Sequence, residues 1–183
     1  MRHLTMEELE SGLDEIRRSP KENGILNLIV RRSGTDQRET LDEGRLDLAQ
    51  GLVGDNWYAR GSGSTPDGGA DPEMQLNIMN SRVTALVAQH PARWSLAGDQ
   101  LYIDMDLSTE NIPPGTQLSL GSAIIEVTPP PHTGCKKFVA RFGSDAMKFV
   151  NSGAGRQLNL RGINAKIVQS GSIRVGDIAE KLP

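Results

Sequence analysis

The only cysteine of the 183-residue chain, Cys135, lies in the segment TPPPHTGCKKF, residues 128–138. A lone thiol cannot close an internal disulfide. The chemistry open to it is that of a thiolate: attack on sulfur, carriage of a persulfide, or ligation of a soft metal. A free cysteine otherwise serves as a small core residue, and the neighbours argue against that use here. Pro129, Pro130 and Pro131 cannot continue a ladder of strand hydrogen bonds and give a stiff, extended approach. Gly134 permits a sharp turn or the close approach of another group. Lys136 and Lys137 set positive charge beside the sulfur, and the start of a helix expected there adds to it; both favour the ionised form. His132 is open to two readings: an idle turn residue, or a proton acceptor, metal neighbour or polar contact for a substrate. Arg141 is near in sequence, and Arg60 and Arg82 are candidates to arrive from a loop and a helix start. Together these cations would hold a phosphate-bearing anion, while each alone reads equally as an ordinary surface charge.

Motifs for other chemistries fail. GSGSTP and GAGRQL both lack the third glycine of the dinucleotide fingerprint, and there is no phosphate-loop sequence. His132 and Cys135 have H-x-x-C spacing, but a structural zinc site needs four ligands, and His3 and His90 are distant in sequence. The G-x-S-x-G elbow of a serine hydrolase is absent.

The elements that must position the cysteine are mostly strands. GILNLIV, MQLNIM and LYIDMDL read as short apolar strands, with Leu76 and Ile78 sharing one face and Leu101, Ile103 and Met105 another. LSLGSAIIEV and NAKIVQSGSIRV each place Gly-Ser between apolar runs, which predicts two hairpins with tight turns. At the N-terminus, Thr5 and Glu8 have capping-box spacing, and Met6, Leu9, Leu13 and Ile16 make one face of a helix that Pro20 stops. Two further helices are expected. One starts at Asn80 or Ser81 and ends at Pro91. The other runs over KKFVARFGSDAMKFV, split at Gly143 with Ser144 capping the second piece. ARGSGSTPDGGADPE, residues 59–73, reads as a long loop inside the domain. The fold class is therefore mainly β (α+β), with a helical extension over residues 1–20 packed on a single domain over residues 21–183.

Composition narrows the function. Twenty basic and 23 acidic residues give a net charge of −3, and aromatics are only 4%, so no nucleic-acid partner is expected. No stretch approaches the roughly 18 apolar residues of a membrane span, and the acidic N-terminus lacks the apolar run of a secretory signal. With one cysteine, these features lead us to expect a cytoplasmic protein with no membrane partner.

Four segments in order resemble the MOSC domain, the family named for the C-terminal part of molybdenum cofactor sulfurases. TGCKKF after the strand AIIEVTPPP is similar to the family's cysteine segment. GRLDLAQGLVGDNW resembles an early segment, here Gly51 to Asp55. STENIPPGTQLSLGSAIIEVT resembles a stretch with Glu110 and Asn111 running through a hairpin at Gly121. RGINAKIVQSGSIRVGD resembles the closing segment, here Arg161 to Asp177. The likeness covers about residues 24–182. It implies a distorted antiparallel or mixed β-barrel with a few peripheral helices. It also implies that Cys135 carries sulfur for the molybdenum cofactor (molybdopterin) or ligates molybdenum, with Thr133, Lys136, Lys137, Arg141 and His132 as candidate cofactor-binding residues. Some family members reduce N-hydroxylated compounds at the metal, which would need an electron-donor protein. A sulfur donor or acceptor protein is the other expected partner. The pyridoxal-phosphate domain of longer relatives is not in this sequence, and the region 59–73 is more acidic than the matching region of many relatives. An enzyme, a sulfur carrier and a non-catalytic anion- or pterin-binding module all remain open at this point.

Overall fold

A computed structural model describes residues 2–183. Seven strands close into a barrel. β1 (Gly24–Arg31) pairs with β6 (Leu101–Asp104), and the order continues through β5 (Leu76–Asn80), β9 (Ile163–Gln169), β8 (Ala123–Val127), β7 (Gln117–Leu120) and β11 (Ile178–Lys181) back to β1. Only β5 and β6 run parallel, so the barrel is mixed. β2 (Glu39–Leu41) extends the far end of β1. This is the mainly β, α+β barrel that the sequence implies.

The alternation read from the sequence fills the barrel. Leu76, Ile78, Leu101, Ile103 and Met105 are fully buried in one cluster with Leu26, Leu118, Ile125 and others. At roughly 25 cal/mol per Å2 of apolar surface removed from water, side chains of this size each contribute about 1.5–3 kcal/mol. The opposite faces of the same strands point outward under a helical layer. Val30, Met79 and Tyr102 join Leu9, Ile16, Val83, Val87, Phe138, Phe142 and Phe149 in a second buried cluster.

The N-terminal helix is two pieces, α1 (Met6–Ser11) and α2 (Leu13–Arg17), divided at Gly12, where a Cβ would come within 2.6 Å of Leu86. The capping box is formed: the Thr5 N–H donates to Glu8 Oε2 at 2.8 Å, and the Glu8 N–H donates to Thr5 Oγ1. α4 (Ser81–Ala88) is capped by the Asn80 side chain. It ends before Pro91, at Gln89, which sits in the left-handed region at φ 62°; Pro91 instead opens the 3-10 segment Pro91–Ala97. The KKFVARF and SDAMKFV pieces are α5 (Lys136–Phe142) and α6 (Ser144–Val150). Gly143, at φ 95°, occupies the cap position between them, and Ser144 makes no capping bond.

One expected hairpin forms and the other does not. β7 and β8 turn at Gly121 and Ser122, with Gly121 at φ 58°. After β9 the chain instead leaves the barrel. β10 (Gly171–Arg174) pairs with β3 (Glu43–Asp47) in a separate three-stranded sheet completed by β4 (Gly51–Leu52). The packing explains the departure. A Cβ at Gly171 would lie 2.4 Å from the backbone of Ser122, so this glycine lets the chain cross against the β7–β8 turn. Leu46, Leu52 and Ile173 of the small sheet then bury themselves in the barrel cluster.

Candidate functional site

The segment holding Cys135 leaves β8 as its prolines require. The Thr128 N–H still donates to the Asn164 carbonyl at 3.0 Å, and the three prolines follow outside the ladder. The Pro130 carbonyl is then held by Asn164 Nδ2 at 2.9 Å. Asn164 stands directly opposite Asn77 on the neighbouring strand, and Asn77 Nδ2 donates to its Oδ1 at 2.6 Å. Arg32 Nη1 donates to Asn77 Oδ1 at 2.9 Å, and Arg32 Nε and Nη2 fork onto Asp55 at 2.9 and 2.8 Å. A buried polar ladder thus runs from the proline segment through two adjacent barrel strands to an ion pair. Low dielectric strengthens such a ladder only while every member is satisfied. Gly134 is required for close approach, because a Cβ there would sit 2.3 Å from Met147 Sδ.

Beyond this segment opens a cleft of about 360 Å3. Cys135 lines it and is exposed, at the position that precedes α5. Thr133, His132, Lys137 and Arg141 line it as well. Lys136 is exposed and is not part of the lining. Arg60 arrives from α3 (Trp57–Arg60), whereas Arg82 does not: it forks onto Asp104 at 2.7 and 3.1 Å and reaches Glu15 at 2.8 Å. The 59–73 region forms the wall beside Arg60 through Gly61, Ser62 and Asp71. Its own hydrogen bonds tie it together: the Ser62 N–H donates to the Gly69 carbonyl at 2.9 Å, and Thr65 Oγ1 donates to that same carbonyl at 2.7 Å.

Three further arginines, Arg32, Arg38 and Arg161, complete six cationic side chains in the lining, against two carboxylates, Asp36 and Asp71. Arg32 and Arg161 are neutralised from behind. Arg161 Nη1 bonds both oxygens of the fully buried Asp99 at 3.0 and 2.8 Å, and its plane lies 5.0 Å from the Phe138 ring centroid. Burial pushes the Asp99 carboxyl up, and Arg161 opposes that shift. Arg141 and Lys137 share Asp36. Arg38 and Arg60 have no carboxylate partner among the described residues. Desolvation by the walls, then the neighbouring Arg141 and Arg32 for Arg38 and Arg32 for Arg60, lowers both guanidinium pKa values. Asp36 acts on Arg38 and Asp55 on Arg60 only at a distance, so both guanidinium groups keep donors that no carboxylate takes up, the kind of group that binds anions.

His132 stands 3.2 Å from Asp99 through Nδ1, but this is no ion pair. Burial, with Arg161 and Arg32 beside it, pushes its pKa well below the ordinary value, so the ring is neutral. A polar map of the interior sharpens the picture. Five buried side-chain polar atoms lack a hydrogen-bond partner among the described residues: Arg38 Nε, Asn56 Oδ1, Tyr102 Oη, His132 Nδ1 and Arg161 Nε. All but Tyr102 belong to residues that line the cleft. Native interiors satisfy nearly all such atoms, so a cluster of exceptions calls for water, an ion or a ligand nearby. Donors, cations and one accessible thiol together fit a phosphate-bearing group that also offers a soft metal.

Several of these residues escape a reading by local spacing. Arg32, Asn77, Asp99 and Asn164 lie in or beside apolar runs, and their partners are 23 to 87 positions away. The signal that was present is an asparagine inside each of two apolar strands, MQLNIM and INAKIV, where a polar residue needs a buried partner. Asp55 and Arg161, noted only as landmarks in the sequence, each belong to one of the two buried ion pairs whose arginines line the cleft.

No family model matches the chain, and no curated protein sequence matches it. Solved structures do. The YuaD protein from Bacillus subtilis superposes with a TM-score of 0.65 at 12% identity, over 87% of this chain and 95% of that one. YiiM from Escherichia coli gives 0.54 at 18% identity, over 87% and 70%. YiiM from Geobacillus stearothermophilus gives 0.54 at 13%, over 90% and 75%. At these identities the likeness is one of fold: the chain has the β-barrel architecture of the YuaD and YiiM structures.

Proposed function

We propose that the chain is a MOSC-domain protein whose cleft takes up the molybdenum cofactor and offers it the sulfur of Cys135, as a carried persulfide or as a thiolate ligand to the metal. One observation carries this reading. The single cysteine is exposed in the same cleft whose lining includes two cations without carboxylate partners among the described residues and the four residues that carry all but one of the orphaned buried polar atoms. The four ordered sequence segments and the closed mixed barrel support it.

Arg38 and Arg60 would bind the phosphate of the pterin, with Arg141 and Lys137 beside them. Thr133 and Asn56 would meet its polar edges, and Cys135 would meet the metal or its sulfur. When bound, the cofactor supplies a soft, redox-active metal, which a thiolate suits as ligand. The protein's own part is to hold the anion and keep the sulfur accessible. The His132 ring, which burial and the neighbouring arginines keep neutral, would offer a polar contact at the wall of the cleft rather than a base. A partner that gives or receives sulfur, or one that donates electrons, belongs to the same proposal.

Anaerobic expression with cofactor supply tests it. Molybdenum analysis and intact-mass analysis of the purified protein should find metal, extra sulfur on Cys135, or both, and Cys135→Ser should lack them. Absence of both from the wild-type protein, or equal amounts in the variant, would defeat the reading. A non-catalytic module that binds anions is the other outcome of that experiment, with ligand retained equally by Cys135→Ser.

A further inference from the structure

A turn that lines the same cleft as Cys135, and is bonded to the helix that follows it, carries opposite charges two residues apart. Asp36 Oδ1 accepts from Lys137 Nζ at 3.0 Å and from Arg141 Nη2 at 2.8 Å, so one oxygen holds two cleft cations. Arg38, on the same turn, holds no carboxylate, and its Nε is buried without a partner. We propose that Asp36 sets which anions the cleft accepts: its carboxylate stands where a ligand's anion binds, so a doubly charged phosphate displaces it and a singly charged carboxylate does not. This rests on reading the cleft as an anion site.

Three observations support the role. First, the Asp36 side chain is 57% exposed. Exposed pairs of this kind contribute little to stability, so the carboxylate is held loosely enough to leave. Second, the position it occupies is bordered by Lys137, Arg141 and Arg38, all of which line the cleft. An incoming phosphate meets the two cations that Asp36 gives up and Arg38, which Asp36 influences but does not bond. A dianion with three oxygens engages all three better than a carboxylate can. Third, the backbone does not require the charge. The Gln37 N–H donates to the Gly34 carbonyl, which makes Asp36 the third residue of a turn, and its φ of 58° lies in the left-handed region. Glycine, asparagine and aspartate are all favoured there. Asparagine would serve the turn as well, so what aspartate adds over it is the charge.

Asp36→Asn isolates that charge, since asparagine tolerates the same φ. Calorimetry with inorganic phosphate and with acetate, at mildly alkaline pH where phosphate is doubly charged, reads the effect. The wild-type protein should bind phosphate and not acetate. Asp36→Asn should bind phosphate about three- to tenfold more tightly, the gain expected from freeing two exposed pairs, and should bind acetate as well. Unchanged or weaker phosphate binding in the variant, or acetate binding by the wild-type protein, overturns the inference. If neither protein binds phosphate, the anion cleft itself is wrong and this inference goes with it; that result is distinct from a wild-type protein that binds phosphate and a variant that gains nothing.

Discussion

The barrel interior and the cleft at its side are built from the same strands by opposite means. Inside, Leu26, Ile78, Leu101, Ile103 and Ile125 exclude water by shape alone, and no one partner is indispensable. In the cleft wall, Arg32 and Arg161 are buried only because Asp55 and Asp99 are buried with them. Two other lining residues are different again: Arg38 and Arg60 lack carboxylate partners among the described residues. Apolar packing fills the barrel, buried ion pairs compensate the charges of the wall, and in the proposed function a ligand's anion would meet the remaining two.

The largest expected effect breaks the wall. Asp99→Ala strands a buried guanidinium and should cost about 3–5 kcal/mol in a urea denaturation, whereas a double variant Asp99→Leu with Arg161→Met should recover much of that loss. By comparison, Ile103→Ala in the barrel should cost about 2–5 kcal/mol through its cavity, with no rescue from any single partner. A loss below about 1 kcal/mol for Asp99→Ala would mean that the wall is not built on this pair.

Next come the unpaired cations. Arg38→Ala and Arg60→Ala should each weaken inorganic phosphate binding about tenfold, the worth of one charge-assisted hydrogen bond, with stability changed by no more than about 0.5 kcal/mol. Stability loss without loss of phosphate binding would make these arginines structural. The smallest effect lies far from the cleft. Arg2 and the Thr5 N–H hold the Glu8 carboxyl down to about 2, from 4.5. A depressed carboxyl pKa stabilises the folded state above the unfolded value and loses that contribution as the pH falls through the folded value. Amide protection in α1 should therefore fall between about pH 4.5 and 2, and Glu8→Gln should flatten that dependence. No pH dependence in the wild-type helix would remove the capping box from the account.

The same contrast explains what the sequence made legible. Leu101, Ile103 and Met105 alternate within a few residues, so their shared face can be read locally. The lone cysteine, its prolines and its lysines are adjacent, so their place together at the cleft can be read too, except for Lys136, which is not in the lining. Arg161 and Asp99 are 62 positions apart and are joined only by the closed barrel; nothing in their local spacing separates them from surface charges. The second hairpin failed for a similar reason. Gly171 and Ser172 look like a turn, but long-range pairing with β3 outcompetes the local partner. Region 59–73 reads as solvent-facing loop because its hydrogen bonds, including that from Thr65 to Gly69, involve backbone groups that sequence does not display.

The central claim, that the Cys135 sulfur looks into an anion-binding cleft, is tested most directly by alkylation. The rate of Cys135 with iodoacetate relative to iodoacetamide should exceed that of a free thiol such as glutathione by about three- to tenfold, because cleft cations steer the anionic reagent. Salt, inorganic phosphate and the Arg38→Ala plus Arg60→Ala double variant should each lower the ratio. A ratio no higher than that of glutathione, indifferent to salt and phosphate, would contradict the account.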